Sequence, residues 1–296
     1  MKKKKNKINM KRVLILLVVI AVVTVISMKL NKKQGDTKSV ALENATVQES
    51  NTNENISNES KENEEDSVLE QKLQSGKILN EEGLPVLMYH FFYDKSKDSG
   101  KDGNWIEISN FEEQMKYLAE NDFYFPTWEQ VENYIDGKQE LPEKSVVITV
   151  DDGDPSFFEL AVPIIQKYKI PTTSFVITYW YGNRASDKQE YVSYQSHSYD
   201  MHKAGSNGKG VMLSWDYDKI KDDILLSRDV LGGADIFCYP FGQYNDLDIK
   251  VLKENGYKLA FTTKGGRVKK GSSKYELPRV RISGNTGMTE FKKKVE

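Results

Sequence analysis

The chain is poor in the residues that staple or punctuate small folds. In 296 residues there is one cysteine, Cys238, so an intrachain disulfide framework is excluded and any extracytoplasmic part must be held by its core. No cysteine follows the N-terminal apolar run in a lipobox-like setting, which excludes lipoprotein attachment. Histidine is almost as scarce, with only His90, His197 and His202 available as imidazole ligands. The net charge of -2 gives no electrostatic footprint for nucleic-acid binding. No internal repeat is evident. What remains open is one large or two small globular domains.

The chain is uneven along its length. Residues 1–12, "MKKKKNKINMKR", form a basic tail, and Val13–Met28 is an uncharged apolar run followed by Lys29 and Leu30. At 1.5 Å per residue this run just spans a bilayer, with Lys29 able to snorkel, and the lysines before it place the N-terminus in the cytoplasm. Two readings stay open: a single-pass signal anchor over 13–30, favoured by the run's length and the lack of an A-x-A site, or a signal peptide cleaved to release a secreted protein. Residues 41–70 hold nine acidic residues against one lysine. Such a composition cannot bury enough apolar surface to offset its ordering entropy, so 31–75 reads as a disordered acidic linker. Residues 76–296 then hold the folded domain, ample for one core.

In that part short apolar runs alternate with helical patterns. "PVLMYH" (85–90), "VVITV" (146–150), "TTSFVIT" (172–178), "DIFCYP" (235–240), "KLAFTT" (258–263) and "LPRVRI" (277–282) read as strands. "SNFEEQMKYLAEN" (109–121) reads as a helix with Ser109 and Glu112 as a capping box, and "TWEQVENYI" (127–135) as another, with Thr127 and Gln130. A third would run from Asp154–Pro155 to Tyr168, with Pro163 weakening it, and further helices fall on 214–233 and 245–256. The alternation predicts an α/β fold on a parallel sheet, open or closed, with ligands at the carboxyl ends of strands.

Asp151 and Asp152 fall at such an end. Adjacent carboxylates repel unless a cation relieves them; one can then bind the cation and the other act as a base. "SHSYDMH" (196–202) supplies His197 and His202, and Asp with two His is a common facial set for a hydrolytic metal. His90 ends a strand facing the same rim. The blander reading of Asp151–Asp152 is a turn with an N-cap; an EF-hand fails because "DDGDPS" lacks the ligand spacing. Cys238 reads as a small core residue. Trp105, Trp180, Tyr181, Trp215 and Tyr244 are aromatic candidates for stacking on a ligand ring in a cleft, with Trp180 and Tyr181 the best placed, although most aromatics are core. Lys292–Lys294 read as a solvated tail.

"TVDDG" resembles the first motif, T-F-D-D-G, of the polysaccharide deacetylases of carbohydrate esterase family 4, the NodB-homology domain. "HSYDMH" resembles their second, H-[ST]-x-x-H, with one residue added, and "YPFGQYN" (239–245) their third. The longer spacing and the early "LMYH" resemble the permuted branch that deacetylates poly-β-1,6-N-acetylglucosamine. The resemblance spans roughly residues 84–285 and implies an irregular (α/β) barrel. It implies Asp152, His197 and His202 as metal ligands, Asp151 as general base, His90 as general acid, and the Phe241 N–H, beside Tyr239, as oxyanion donor. A divalent metal is implied, zinc by default, with cobalt, nickel or manganese able to serve. Cys238 stands where the family has an arginine that tunes the base; Arg279 or Arg281 is the candidate replacement. The implied substrate is an N-acetylglucosamine polysaccharide of the cell surface. Peptidoglycan is the alternative, and a catalytically silent sugar-binding domain the alternative of another class. A monomer is the simplest expectation.

Overall fold

The computed structural model describes residues 66–74, 76–98, 102–206 and 208–296. The basic tail, the apolar run and most of the acidic linker lie outside the described residues, and among the described residues no helix is long and apolar enough to cross a membrane. The chain divides into two units, Met1–Val68 and Leu69–Glu296, and the elements below belong to the second. Leu69 is buried in its core, so residues assigned to the linker contribute to the fold.

The strands are β1 (Val86–Tyr89), β2 (Phe91–Tyr93), β3 (Trp105–Glu107), β4 (Val147–Val150), β5 (Thr172–Val176), β6 (Val192–Ser196), β7 (Ile236–Cys238), β8 (Leu259–Gly265) and β9 (Leu277–Arg281). All but β2 and β3 join in one closed parallel barrel, in chain order, with β9 returning to β1 through Leu87 opposite Val280 and Met88 opposite Arg281. β2 and β3 pair separately. The β6–β7 junction rests on one register pair, Ser196 with Phe237, which makes the barrel irregular there. β6, "VSYQS", was not anticipated: its alternation is polar and half-buried, without the apolar run that marks the other strands.

Alternation along the strands builds the interior in layers. Val86, Val147, Phe175, Ile236, Leu259, Phe261 and Leu277 form an apolar layer with Val131, Tyr134 and Ile135 of the helix Trp128–Ile135. Two residues further along their strands, Thr149, Cys238 and Arg279 are also buried, so the next layer is polar.

Helices cover the outside: α1 (Ile108–Glu120), α2 (Trp128–Ile135), α3 (Val162–Tyr168), α4 (Thr178–Ala185), α5 (Tyr217–Val230), α6 (Asp246–Glu254) and α7 (Met288–Val295). α1 buries Phe111, Met115 and Leu118, as its spacing predicts, each worth about 1.5–3 kcal/mol in removed apolar area. Its cap is Glu107 rather than Ser109, two residues earlier, and the Glu107 carboxylate accepts the Ser109 N–H at 3.0 Å. The Thr127–Gln130 box of α2 forms in both directions. Pro163 does not break its helix. The turn before it, Phe157–Ala161, widens to a π-helix in which the Val162 N–H reaches the Phe157 carbonyl. That widening accommodates a ring with no N–H to donate. Helix 214–233 begins later than expected, at Tyr217, because Asp216 caps it through the Lys219 N–H. Lys292–Lys294 lie on α7, anchored by buried Phe291 and Val295, rather than in a tail, although Lys292 and Lys293 are solvated as expected.

Candidate active site

The turn after β4 separates the two carboxylates. The Asp151 N–H donates to the Tyr89 carbonyl at 3.0 Å, continuing the β1–β4 ladder, and the Gly153 N–H turns back to the Asp151 carbonyl. Asp152 and Gly153 both lie in the left-handed region, at φ 72° and 75°. Glycine is needed at the second because a Cβ there would stand 3.0 Å from Val176 Cγ1. A non-glycine residue held at positive φ costs about 1–3 kcal/mol and is typical of functional sites. The result is that Asp151 faces the polar layer of the barrel and Asp152 faces the histidines.

Asp152 Oδ1 stands 3.4 Å from His197 Nε2 and 3.5 Å from His202 Nε2. The donor atoms of these three side chains all lie within 4.8 Å of one another. His197 is aimed by its other nitrogen, since Nδ1 contacts the Cys238 carbonyl at 2.7 Å, which directs Nε2 at the carboxylate. Burial and the neighbouring His197 charge lower His202 to about 4. Asp152 Oδ1 is buried and has no hydrogen-bond partner among the described residues. An orphaned buried carboxylate oxygen between two imidazole nitrogens is the arrangement a divalent cation fits, and the donor set suits zinc or a neighbouring transition metal. A second nearby group, Asp151, His197 and Cys238, does not fit one. Both oxygens of Asp151 are already paired, and His197 Nδ1 is taken by a carbonyl.

Asp151 is paired by Arg279. The guanidinium grips the carboxylate in parallel, Nη1 to Oδ1 and Nη2 to Oδ2, both at 2.7 Å. Its remaining donors reach the Thr262 carbonyl at 3.0 Å, Thr149 Oγ1 at 3.1 Å and Cys238 Sγ at 3.1 Å. Burial alone would raise the Asp151 carboxyl, but the Arg279 charge and hydrogen bonds outweigh it and hold it well below the ordinary carboxylate range. Cys238, pushed up by burial, stays a neutral thiol and leaves room for the guanidinium. Of Arg279 and Arg281, Arg279 is thus the one brought to Asp151. Arg281, two residues on, is exposed at the rim and bonds Asn104 Oδ1.

His90 Nε2 lies 3.7 Å from Asp151 Oδ2. Burial lowers its pKa against the raising effect of Asp151 and Asp152. The third motif forms a tight turn with Phe241 at φ 58°, its ring on His202 at 4.3 Å. No acceptor among the described residues takes the Phe241 N–H. Tyr239 does not join the site: its ring is buried between Phe237 and Tyr244, and its hydroxyl donates to the Tyr275 carbonyl. Alternation along β7, whose Ile236 and Cys238 face the barrel interior, sends Phe237 and Tyr239 to the opposite side, against Ile220, Ile224, Val251 and Leu252 of α5 and α6. Trp180 is half-exposed with its ring 6.3 Å from His202, and Tyr181 packs edge-on against it at 6.2 Å. Trp105 stacks on Phe91 instead, and Trp215 lies under Lys219. A groove of about 420 Å³ begins at Gly242 and is lined by Lys209, Leu213, Gln243, Tyr244 and Lys264. Thr149, which steadies Arg279, was missed; its signal was a hydroxyl in an otherwise apolar strand.

A family model for polysaccharide deacetylase matches residues 138–260. The match includes Asp151, Asp152, His197 and His202 and excludes His90 and Arg279. Poly-beta-1,6-N-acetyl-D-glucosamine N-deacetylase of Staphylococcus aureus is 29% identical over 212 residues, 65% of this chain and 72% of that protein. Its counterpart in Staphylococcus epidermidis is 29% identical over 206 residues, 63% of this chain and 71% of that one. Among solved structures, the Streptococcus pyogenes deacetylase PplD superposes with a TM-score of 0.63 at 22% identity, over 75% of this chain and 99% of that one. IcaB from Ammonifex degensii gives 0.60 at 26%, over 71% and 96%.

Proposed function

We propose, on the premise that this chain carries a polysaccharide deacetylase domain of the NodB type, that it removes acetyl groups from N-acetylglucosamine residues of a β-1,6-linked surface polysaccharide. The reading is supported by the names of its curated relatives and by one structural observation above the others. That observation is the buried, unpartnered Asp152 Oδ1 between two imidazole nitrogens, next to a carboxylate held ionised by Arg279.

Asp152, His197 and His202 would hold the divalent ion, zinc by default. When bound, the ion supplies Lewis-acid polarisation of the acetamide carbonyl and of the attacking water. Asp151 keeps lone pairs outside its Arg279 contacts and takes the proton as water adds. The Phe241 N–H donates to the oxygen on which negative charge develops. His90, 3.7 Å from Asp151, is placed to receive that proton and pass it to the departing amine nitrogen. Trp180 and Tyr181 give the sugar ring a face to stack on. We further propose that Val13–Met28 anchors the chain in the membrane behind its lysines, with the catalytic domain on the outer side; protease accessibility on whole cells tests this.

The functional test is acetate release by the full chain from β-1,6-linked N-acetylglucosamine oligomers with added divalent metal. Asp151→Asn should keep the metal and lose the activity, and Asp152→Asn should lose both. Absence of release from these oligomers, with release from peptidoglycan glycan, would overturn the linkage. Equal metal loss in both variants would overturn the division of labour.

A further inference from the structure

The segment that carries both histidine ligands is not helical, and its backbone groups need partners. Ser198 sits at φ 73°, so no N–H from Ser198 to Met201 finds a local carbonyl. Each finds a side chain instead. Ser198 N donates to Ser196 Oγ at 3.2 Å and Met201 N to Ser198 Oγ at 3.2 Å. Tyr199 N and Asp200 N donate to the two oxygens of a single carboxylate, Asp223, at 2.7 and 2.8 Å. The carbonyls on the opposite side, Ser198 and Tyr199, accept from the first two N–H groups of α4, Thr178 and Tyr179, at 3.2 and 3.0 Å.

Asp223 lies on α5, 24 residues from Tyr199, and is 7% exposed. Ser227, one turn further along the same helix face and fully buried, contacts Ser196 Oγ at 2.8 Å, the same oxygen that receives the Ser198 N–H. One face of α5 therefore supports the segment from below while the N-terminus of α4 holds it from the side. Neither Asp223 nor Ser227 touches the space between Asp152 and the imidazoles.

We propose that Asp223, seconded by Ser227, is a positioning residue for the metal centre: its carboxylate fixes the peptides between His197 and His202 and so sets the distance between their Nε2 atoms. This rests on the reading of Asp152, His197 and His202 as the metal ligands. A charged acceptor taking two adjacent backbone N–H groups makes hydrogen bonds about twice as strong as neutral ones and fixes two peptide planes together. The four-residue interval between the histidines is longer than a helical turn of ligands requires, and it has no regular structure of its own to hold it. Asp223 supplies that rigidity from another helix. Outer residues that orient ligands in this way typically carry a 10–100-fold effect on metal affinity.

The test is metal affinity of the full chain, measured with Zn²⁺ by chelator competition and with Co²⁺ by its visible absorption. Asp223→Asn is isosteric, but its amide can accept only one of the two N–H groups. It should weaken Zn²⁺ binding about 10–100-fold and alter the Co²⁺ spectrum, while the metal-free protein keeps its circular dichroism. Ser227→Ala, a smaller lesion that serves if the first variant does not fold, should weaken binding several-fold in the same sense. Asp222→Asn removes the same charge from the exposed side of α5 and should change nothing. Binding within twofold of wild type in Asp223→Asn, while Asp152→Asn abolishes it, would overturn the positioning role and leave the metal site standing. An equal loss in Asp222→Asn would overturn it too, because a diffuse field would then be the cause. A wild-type chain that takes up no stoichiometric metal would overturn both.

Discussion

Replacing Arg279 with methionine should destabilise the domain far beyond the usual effect of a single substitution. The pair it breaks is almost wholly removed from water: Arg279 is 0% exposed and Asp151 is 1% exposed, joined by two 2.7 Å contacts. With charge centres about 4 Å apart and an effective dielectric of about 20, their attraction is about 4 kcal/mol. Removing one partner of such a pair typically costs about 3–5 kcal/mol, because the other charge is left buried alone. Asp151→Asn should fall nearer the lower end, since its amide oxygen still accepts one guanidinium N–H. The double variant should lose less than the sum by about 2 kcal/mol or more, a coupling that a double-mutant cycle isolates. Denaturant titration of the metal-free chain at pH 7.5 measures all three. The pH dependence gives a second check on sign. In the wild type the folded Asp151 value lies below its unfolded value near about 3.9, so the pair's contribution is full above about pH 5 and fades only as pH falls through the depressed folded value. In Arg279→Met burial is opposed only by the weaker pull of His90 and His197, so the folded value should rise above the unfolded one and stability should fall as pH rises through it. A coupling under about 1 kcal/mol, with the same pH slope in both proteins, would refute the argument.

Three further outcomes follow from the same geometry. His90→Gln should lower kcat by about 10²–10⁴ while metal content stays stoichiometric, which element analysis beside acetate assay resolves. Asp248, raised to about 6 by burial in the first turn of α6, takes up a proton in the folded state before the unfolded chain does. Its contribution is therefore full below about pH 4 and lost as pH rises to about 6, and Asp248→Asn should flatten that part of a stability–pH curve for the metal-free chain. Chelation should abolish acetate release and lower the Tm, and metal restored at 100 times its Kd should return about 2.7 kcal/mol.

The site's outline was legible because its residues sit where local pattern is strongest. A buried apolar strand ending at once in "DDG" announces a functional turn, and three histidines in the whole chain leave few alternatives. The barrel strands with continuous apolar runs were equally visible, whereas β6, with a tyrosine, a glutamine and two serines and burial that ranges from exposed Ser193 to buried Ser196, carries no such signal. Arg279 could be suspected as a charge in an otherwise apolar strand, but choosing it over Arg281 needed the register that buries one and exposes the other. Asp223 could not be seen at all: its partners are backbone N–H groups far away in sequence, which leave no mark on residue type. Tyr239 shows the opposite hazard, since a motif position reveals where the backbone goes but not which way the ring turns.

The partner of Asp151 comes from β9, across 128 residues. A polypeptide that emerges from its N-terminus first, whether from a ribosome or through a membrane pore, exposes the "DDG" turn, His197 and His202 long before Arg279 follows. Until the last strand zips between β8 and β1, a carboxylate destined for the interior has no counter-charge and the barrel has two open edges. Closure and neutralisation are therefore one late event, set by long-range contacts that form slowly. The nascent domain can present Asp152, His197 and His202 early, but Asp151 gains its counter-charge only when β9 arrives.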